Sequence, residues 1–137
     1  MTRVSSSAAQ QVIVRADYHC EYCRTPRAIT AQSFHIDHIL PASRGGEAIP
    51  ENLCYACPRC NLQKGDPIEA VDPRTRRRVR LFNPRIDSWA DHFRWSATYR
   101  RILGRTAIGR ATIAALDLND GALMKARQMW VLLDLIP

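Results

Sequence analysis

Four of the five cysteines in this chain stand in two Cys-x-x-Cys pairs, Cys20 with Cys23 and Cys57 with Cys60, with 33 residues between the pairs. A two-residue gap lets both sulfurs of a pair reach one metal ion while turn amides point toward them. Four thiolates complete the tetrahedral shell that zinc prefers, and a closed shell of that kind suits a structural ion rather than a catalytic one. A single pair would leave a redox couple or buried free thiols open; two pairs bracketing one stretch favour zinc. The intervening stretch is longer than a simple zinc ribbon needs, so something is displayed between the knuckles. Cys54, three residues before Cys57, could compete as a ligand, but its place in an extended segment suits a small buried side chain.

The displayed stretch is rich in groups that handle metals and phosphates. It reads Phe34-His35-Ile36-Asp37-His38-Ile39-Leu40-Pro41, then Arg44-Gly45-Gly46 and Asn52-Leu53; Asn61 and Lys64-Gly65 follow the second knuckle. In order and spacing this resembles the HNH endonuclease family: Asp-His-Ile at a strand end, a Gly-Gly turn, a central Asn, and a Cys-x-x-Cys-Asn/His that runs into Lys-Gly. The resemblance covers Cys20 to Gly65, about a third of the chain. It implies the ββα-metal fold and hydrolysis of DNA phosphodiester bonds, as nicks or as double-strand breaks.

The residue types fit that chemistry. Phosphodiester hydrolysis needs an activated water, neutralisation of phosphorane charge and help for the leaving oxygen. His38 is the natural general base, because an imidazole can take a proton near neutral pH. Asp37 and Asn61 offer hard oxygen ligands for Mg²⁺ or Mn²⁺, which acts as a Lewis acid on the scissile phosphate. The family's central Asn, here Asn52, braces the loop and orients the histidine. Asn61 stands where the third letter of the family name has His; loss of that imidazole argues for Mg²⁺ over Zn²⁺ or Ni²⁺ at the active site. Arg44 beside the glycine turn and Lys64 after Asn61 are expected to contact phosphate. In a regular strand Asp37 and His38 would face opposite sides, so the strand has to end or twist there, and Pro41 permits it. His35 shares a face with Asp37 and could be a further ligand, although a packed or hydrogen-bonded role fits better. His19 is expected to shield the first knuckle, and His92 to be structural.

Around these residues the pattern predicts a helix from about Ser5 to Tyr18, with Ala8, Val12 and Ala16 at helical spacing and the Ser5–Ser7 hydroxyls available as caps. Ser33 to Leu40 and Asn52 to Ala56 read as strands, and a helix after Cys60 should be stopped at Gly65-Asp66-Pro67. Arg77 to Phe82 alternates as a strand would, and Asp87 to Phe93 reads as a helical turn or two with Trp89 and Phe93 on one side. Two helices follow, Thr106 to Leu118 and Asn119 to Leu135. The second is capped by Asn119 or Asp120 and has an apolar face of Leu123, Ala126, Trp130 and Leu133. The expected fold class is therefore α+β: a small ββα-metal core held by a four-cysteine zinc site, an N-terminal helix and a C-terminal helical extension. The expected division is a nuclease core over residues 1–67 and an extension over 68–137 that packs on the core or grips DNA.

Bulk composition is consistent with this. Hydrophobic residues make up 46% of 137, too many for a disordered chain. No apolar run approaches a membrane span, and the first residues lack the apolar core of a secretory signal, so a cytoplasmic location without membrane partners is expected. The net charge is +7, and 18 of the 20 basic residues are arginine, whose planar fork matches phosphate oxygens. Genomic base composition could explain arginine over lysine but not the sign of the charge. Arg74, Arg76, Arg77, Arg78 and Arg80 crowd into seven residues, and in a strand Arg76, Arg78 and Arg80 would line one face toward a DNA backbone. A charged edge strand is the alternative. The rival function is a non-catalytic, zinc-dependent nucleic-acid-binding module, with a zinc finger for protein contacts behind it. DNA is the expected partner. With no dedicated base-reading helix, low intrinsic specificity or an unseen protein partner is expected, and Leu123, Trp130 and Leu133 could serve a homodimer as readily as a core.

Overall fold

The computed structural model describes residues 3–137, which divide into two compact units. The first runs up to Ile68 and takes in Asn83–Ile86; the second comprises Glu69–Phe82 and Asp87–Pro137. Among the described residues no helix is long and apolar enough to cross a membrane.

The first unit opens with α1 (Ser6–Arg15), whose cap is the Ser5 hydroxyl accepting from the Ala8 amide at 3.1 Å. Ala8 and Val12 turn inward and join Ala16, Leu53 and Tyr55 in the core of this unit, with Phe34 and Ile36 packed against it. Strand β1 (His35–His38) pairs antiparallel with β2 (Leu53–Ala56), placing Asp37 opposite Cys54 and His38 opposite Leu53. Every residue of β2 is buried, whereas β1 is partly open. Helix α2 (Pro58–Lys64) follows directly. Cys57 is its N-cap, Pro58 fills its first turn where a missing N–H costs nothing, and Gly65 ends it at φ +55°. The order strand, strand, helix is the expected one, with the strands trimmed at their ends.

The β1–β2 connection is built on its two glycines for different reasons. Gly45 takes φ +88°, the left-handed region. Gly46 is pressed against the end of β1: a Cβ there would lie 1.8 Å from the Leu40 carbonyl oxygen and 2.8 Å from Asn52 Nδ2.

The second unit contains more strand than the sequence pattern predicts. Strand β3 (Glu69–Val71) pairs antiparallel with β4 (Arg78–Arg80); after the short helix α3 (Trp89–His92), β5 (Phe93–Trp95) pairs with β6 (Ile102–Gly104). Three-residue strands are too short to show a period-two signal, which is why β3, β5 and β6 were not legible. Helices α4 (Ala107–Leu116) and α5 (Gly121–Leu132) complete the unit.

Asp120 caps α5, accepting from the Leu123 amide at 2.7 Å. Asn119 instead brackets Ile102, through contacts of 2.7 and 2.8 Å to its amide and carbonyl. On α5, Leu123 and Trp130 are core residues, but Leu133 lies past the helix end and is 58% exposed. The place expected for an apolar neighbour is taken by Arg127, fully buried, which donates to the carbonyls of Leu118 and Arg100 and lies over the Trp95 and Trp130 rings. A guanidinium is tolerated inside because those acceptors and rings replace its hydration. His92 is structural here as expected, with Nδ1 2.6 Å from the Thr106 hydroxyl and Nε2 3.5 Å from an Asp87 carboxylate oxygen.

Candidate active site and zinc clamp

The four sulfurs of Cys20, Cys23, Cys57 and Cys60 lie within 4.8 Å of one another, and all four residues are buried. Cys23 and Cys57 sulfurs are 3.7 Å apart. Tetrahedral zinc with bonds of about 2.3 Å spaces its sulfurs by about 3.8 Å, so the group is already close to ligand geometry. Hydrogen bonds from the Cys20 and Cys57 thiols hold Cys23 well below the usual thiol range, while burial pushes Cys20 well above it. Four thiols this close cannot each keep an ordinary proton affinity, and a divalent cation at their centre relieves the conflict. The donor set fits zinc.

Cys54 stands outside this cluster. Its sulfur is 3.6 Å from the Tyr22 hydroxyl, and burial pushes the thiol up to about 12. It is directly opposite Asp37 in the β ladder and so shares that face of the hairpin, while Cys57 lies beyond the strand end.

Backbone and ion-pair contacts fasten the first knuckle to β2. The Glu21 amide donates to the Tyr55 carbonyl at 2.9 Å, and the Glu21 carboxylate accepts from the Tyr55 amide at 2.8 Å. Arg85 pairs with the other Glu21 oxygen. At the far end of β2, Arg15 donates to the carbonyls of Pro50 and Leu53 at 2.8 and 3.0 Å. His19 meets the Asp17 carbonyl at 2.5 Å and bridges to Pro26, closing the knuckle loop.

At the end of β1 the structure brings together Asp37, His38 and Lys64. The strand ends at His38, as placing Asp37 and His38 at one site requires. Asp37 Oδ2 and His38 Nε2 are both buried, and neither has a hydrogen-bond partner among the described residues. Lys64 comes from α2, its side chain only 2% exposed, with Nζ 3.7 Å from Asp37 Oδ2 and 3.5 Å from the carbonyl oxygens of both His38 and Ile39. Burial nevertheless raises the Asp37 carboxyl above the ordinary range, outweighing Lys64, the His38 amide and the nearby imidazoles. Asn61 lies one helical turn before Lys64 and so shares its side of α2.

Asn52 makes three contacts with the β1–β2 loop. Its Oδ1 accepts from the Leu40 amide at 2.9 Å, and its Nδ2 donates to the carbonyls of Leu40 and Glu47, both at 3.0 Å. It touches the chain two residues beyond His38 and acts through the loop.

The remaining predicted residues are distributed differently. Arg44 is exposed beside the glycine turn, and His35 is exposed at the start of β1. Lys64 serves Asp37 instead of lying open at the surface. The signal for that was present: Lys64 is four residues after the clamp ligand Cys60 and therefore faces inward with it. In the second unit the stripe of Arg76, Arg78 and Arg80 does not form. Arg76 sits in the hairpin turn at φ +67°, and the Arg80 fork is held by Asp87 at 2.6 and 2.8 Å. The turn is set by Asp72, which accepts from the Arg74 and Thr75 amides at 3.1 and 3.3 Å. Tyr22 and Cys54, beside Asp37, were not singled out from the sequence for this site and carry no motif that would have done so.

Fold and site together define a ββα unit with a four-cysteine cluster able to hold a metal ion and with a carboxylate and an imidazole at the end of its first strand. Residues 20–67 match the family model described as HNH endonuclease, so this stretch is similar to nucleases of that family and the resemblance read from the residues holds over it. No curated protein and no solved structure matches the chain.

Proposed function

We propose that the chain is a metal-dependent DNA endonuclease whose general base is His38. The observation that carries this is the pair of buried polar atoms without a hydrogen bond, Asp37 Oδ2 and His38 Nε2, on adjacent residues. Asp37 Oδ2 is met only by the Lys64 ammonium at 3.7 Å and His38 Nε2 by no polar group of the described residues, and leaving a buried polar atom without a partner costs roughly 1–3 kcal/mol.

In this reading Asp37 and Asn61 hold a Mg²⁺ or Mn²⁺ ion by oxygen. That ion, when bound, supplies Lewis-acid stabilisation of the phosphate and leaving oxygen. His38 Nε2, without a hydrogen bond among the described residues, takes the proton of the attacking water. Lys64 opposes the effect of burial on the Asp37 carboxyl and orients it. Asn52 holds the loop so that the imidazole keeps its aim, and Gly46 allows the close approach that this bracing needs. Arg44 at the loop and Arg76 and Arg78 on the second hairpin contribute phosphate contacts, while Arg80 contributes only on exchanging Asp87 for phosphate. The zinc held by Cys20, Cys23, Cys57 and Cys60 takes no part in the reaction and fixes α2 relative to the strands.

The test is conversion of supercoiled plasmid by zinc-loaded protein with added Mg²⁺ or Mn²⁺. Wild type should nick or linearise it, and His38→Ala should bind DNA and retain zinc yet lose cleavage by about a hundredfold or more. Normal cleavage by His38→Ala would refute the assignment of the base. Plasmid left intact by wild type in every ion, with binding preserved, would favour the non-catalytic binding module.

A further inference from the structure

Between Asp91 and Asp117 the chain has no acidic residue and five arginines: Arg94, Arg100, Arg101, Arg105 and Arg110. Arg110 is engaged by Asp72 at 2.9 and 3.0 Å. Arg100 and Arg101, by contrast, are exposed at the tip of the β5–β6 hairpin, and among the described residues neither makes an ion pair.

Beside them is Tyr99, 41% exposed and at φ +61°. Glycine or asparagine suits that conformation, and a bulky side chain there is uncommon. The tip is well tied: Ser96 and Arg101 pair through the backbone at 2.9 Å, the Tyr99 amide reaches the Ser96 carbonyl at 2.9 Å, and the Ser96 hydroxyl accepts from the Arg101 amide at 3.1 Å.

The Tyr99 ring is 6.3 Å from that of Trp95, which is 5.4 Å from that of Trp89. Beneath this row Trp95 meets the fully buried Trp130 edge-on at 6.2 Å and the Arg127 guanidinium at 5.4 Å. Trp95 is therefore held rigidly while part of its surface stays open. A shallow cleft lined by Thr98, Arg100, Arg101 and Met124 continues the surface past the last ring. Arg94 alternates to the other face of β5 and is not part of it.

We propose that this hairpin tip binds single-stranded DNA, with unpaired bases stacking on Tyr99 and Trp95 and the flanking phosphates held by Arg100 and Arg101. Partly open rings next to guanidiniums outside any ion pair are the combination that grips a single strand without reading its sequence. A duplex hides its base faces, so the rings add nothing to duplex binding. The choice of DNA as occupant rests on the nuclease reading above; the surface itself needs no residue of the HNH domain.

The experiment uses full-length, zinc-loaded protein without added Mg²⁺ or Mn²⁺. It is titrated with a fluorescein-labelled oligothymidylate about 12 nucleotides long, with a duplex and an oligouridylate of equal length as competitors. The single strand should quench tryptophan fluorescence and compete better than either alternative. Tyr99→Asn, which suits the backbone conformation but removes the ring, should weaken binding about tenfold, and Tyr99→Phe should restore it. Arg100→Ser should flatten the slope of log affinity against log salt by about 0.7. Unchanged affinity in Tyr99→Asn, or duplex or oligouridylate winning the competition, would overturn the proposal. Plasmid cleavage is scored separately. Loss of cleavage with Tyr99-dependent oligonucleotide binding intact refutes the nuclease reading and supports this surface, whereas intact cleavage with Tyr99→Asn binding like wild type refutes the surface alone.

Discussion

Replacing Asn52 by aspartate would test most directly how the loop positions His38. The change keeps shape and volume and preserves the acceptor for the Leu40 amide. It removes the two donations to the Leu40 and Glu47 carbonyls, each 3.0 Å long, and places a carboxylate oxygen against both. At about 1 kcal/mol per hydrogen bond, losing two and adding repulsion should cost about 2–3 kcal/mol. Asn52→Ala, which loses three bonds without repulsion, should cost a similar amount. The measurement is urea unfolding of zinc-loaded protein followed by far-UV circular dichroism, because all three tryptophans lie in the other unit. Since Leu40 is two residues past His38, plasmid cleavage should fall about tenfold to a hundredfold in both variants. An Asn52→Asp protein as stable and active as wild type at neutral pH would show that the carboxamide donations do not hold the loop.

Other outcomes are expected from the same geometry. Gly46→Ala drives a methyl into the Leu40 carbonyl and should destabilise the first unit by about 3 kcal/mol or more; an unchanged unfolding midpoint would refute that clash. Cys57→Ser should lose zinc and the folded first unit, while Cys54→Ser should keep the metal at a cost of about 1 kcal/mol, as measured by elemental analysis and circular dichroism. Asp72 is held well below the usual carboxylate range, chiefly by the Arg110 fork. A carboxyl with a depressed folded value stabilises fully above its unfolded value, about 3.9, and that stabilisation fades as pH falls below it. Tryptophan fluorescence should therefore show the melting temperature of the second unit falling on acidification below about pH 4, with a flatter acid limb in Asp72→Asn.

Much of the first unit was legible in the residues because its signals are local and of kinds that do not depend on distant packing. Cys-x-x-Cys spacing is dictated by how a short turn presents two sulfurs, and Gly65-Asp66-Pro67 stops a helix because proline cannot continue it. The pairing of Asp37 with His38 was readable only through resemblance, since strand alternation by itself points them apart. The second unit was less readable. Its strands are three residues long, and Arg127 was invisible as a core residue because its burial depends on carbonyls and indole rings brought in from elsewhere in the unit. Charge patterning marked Arg76, Arg78 and Arg80 as one stripe; the turn closed by Asp72 and the acceptor at Asp87 dissolved it. Residue type and spacing determined which chemistry the chain could perform. Which of its charged groups remain available to perform it was decided by tertiary structure, because burial and partnership are properties of the neighbours a side chain meets only once the chain has folded.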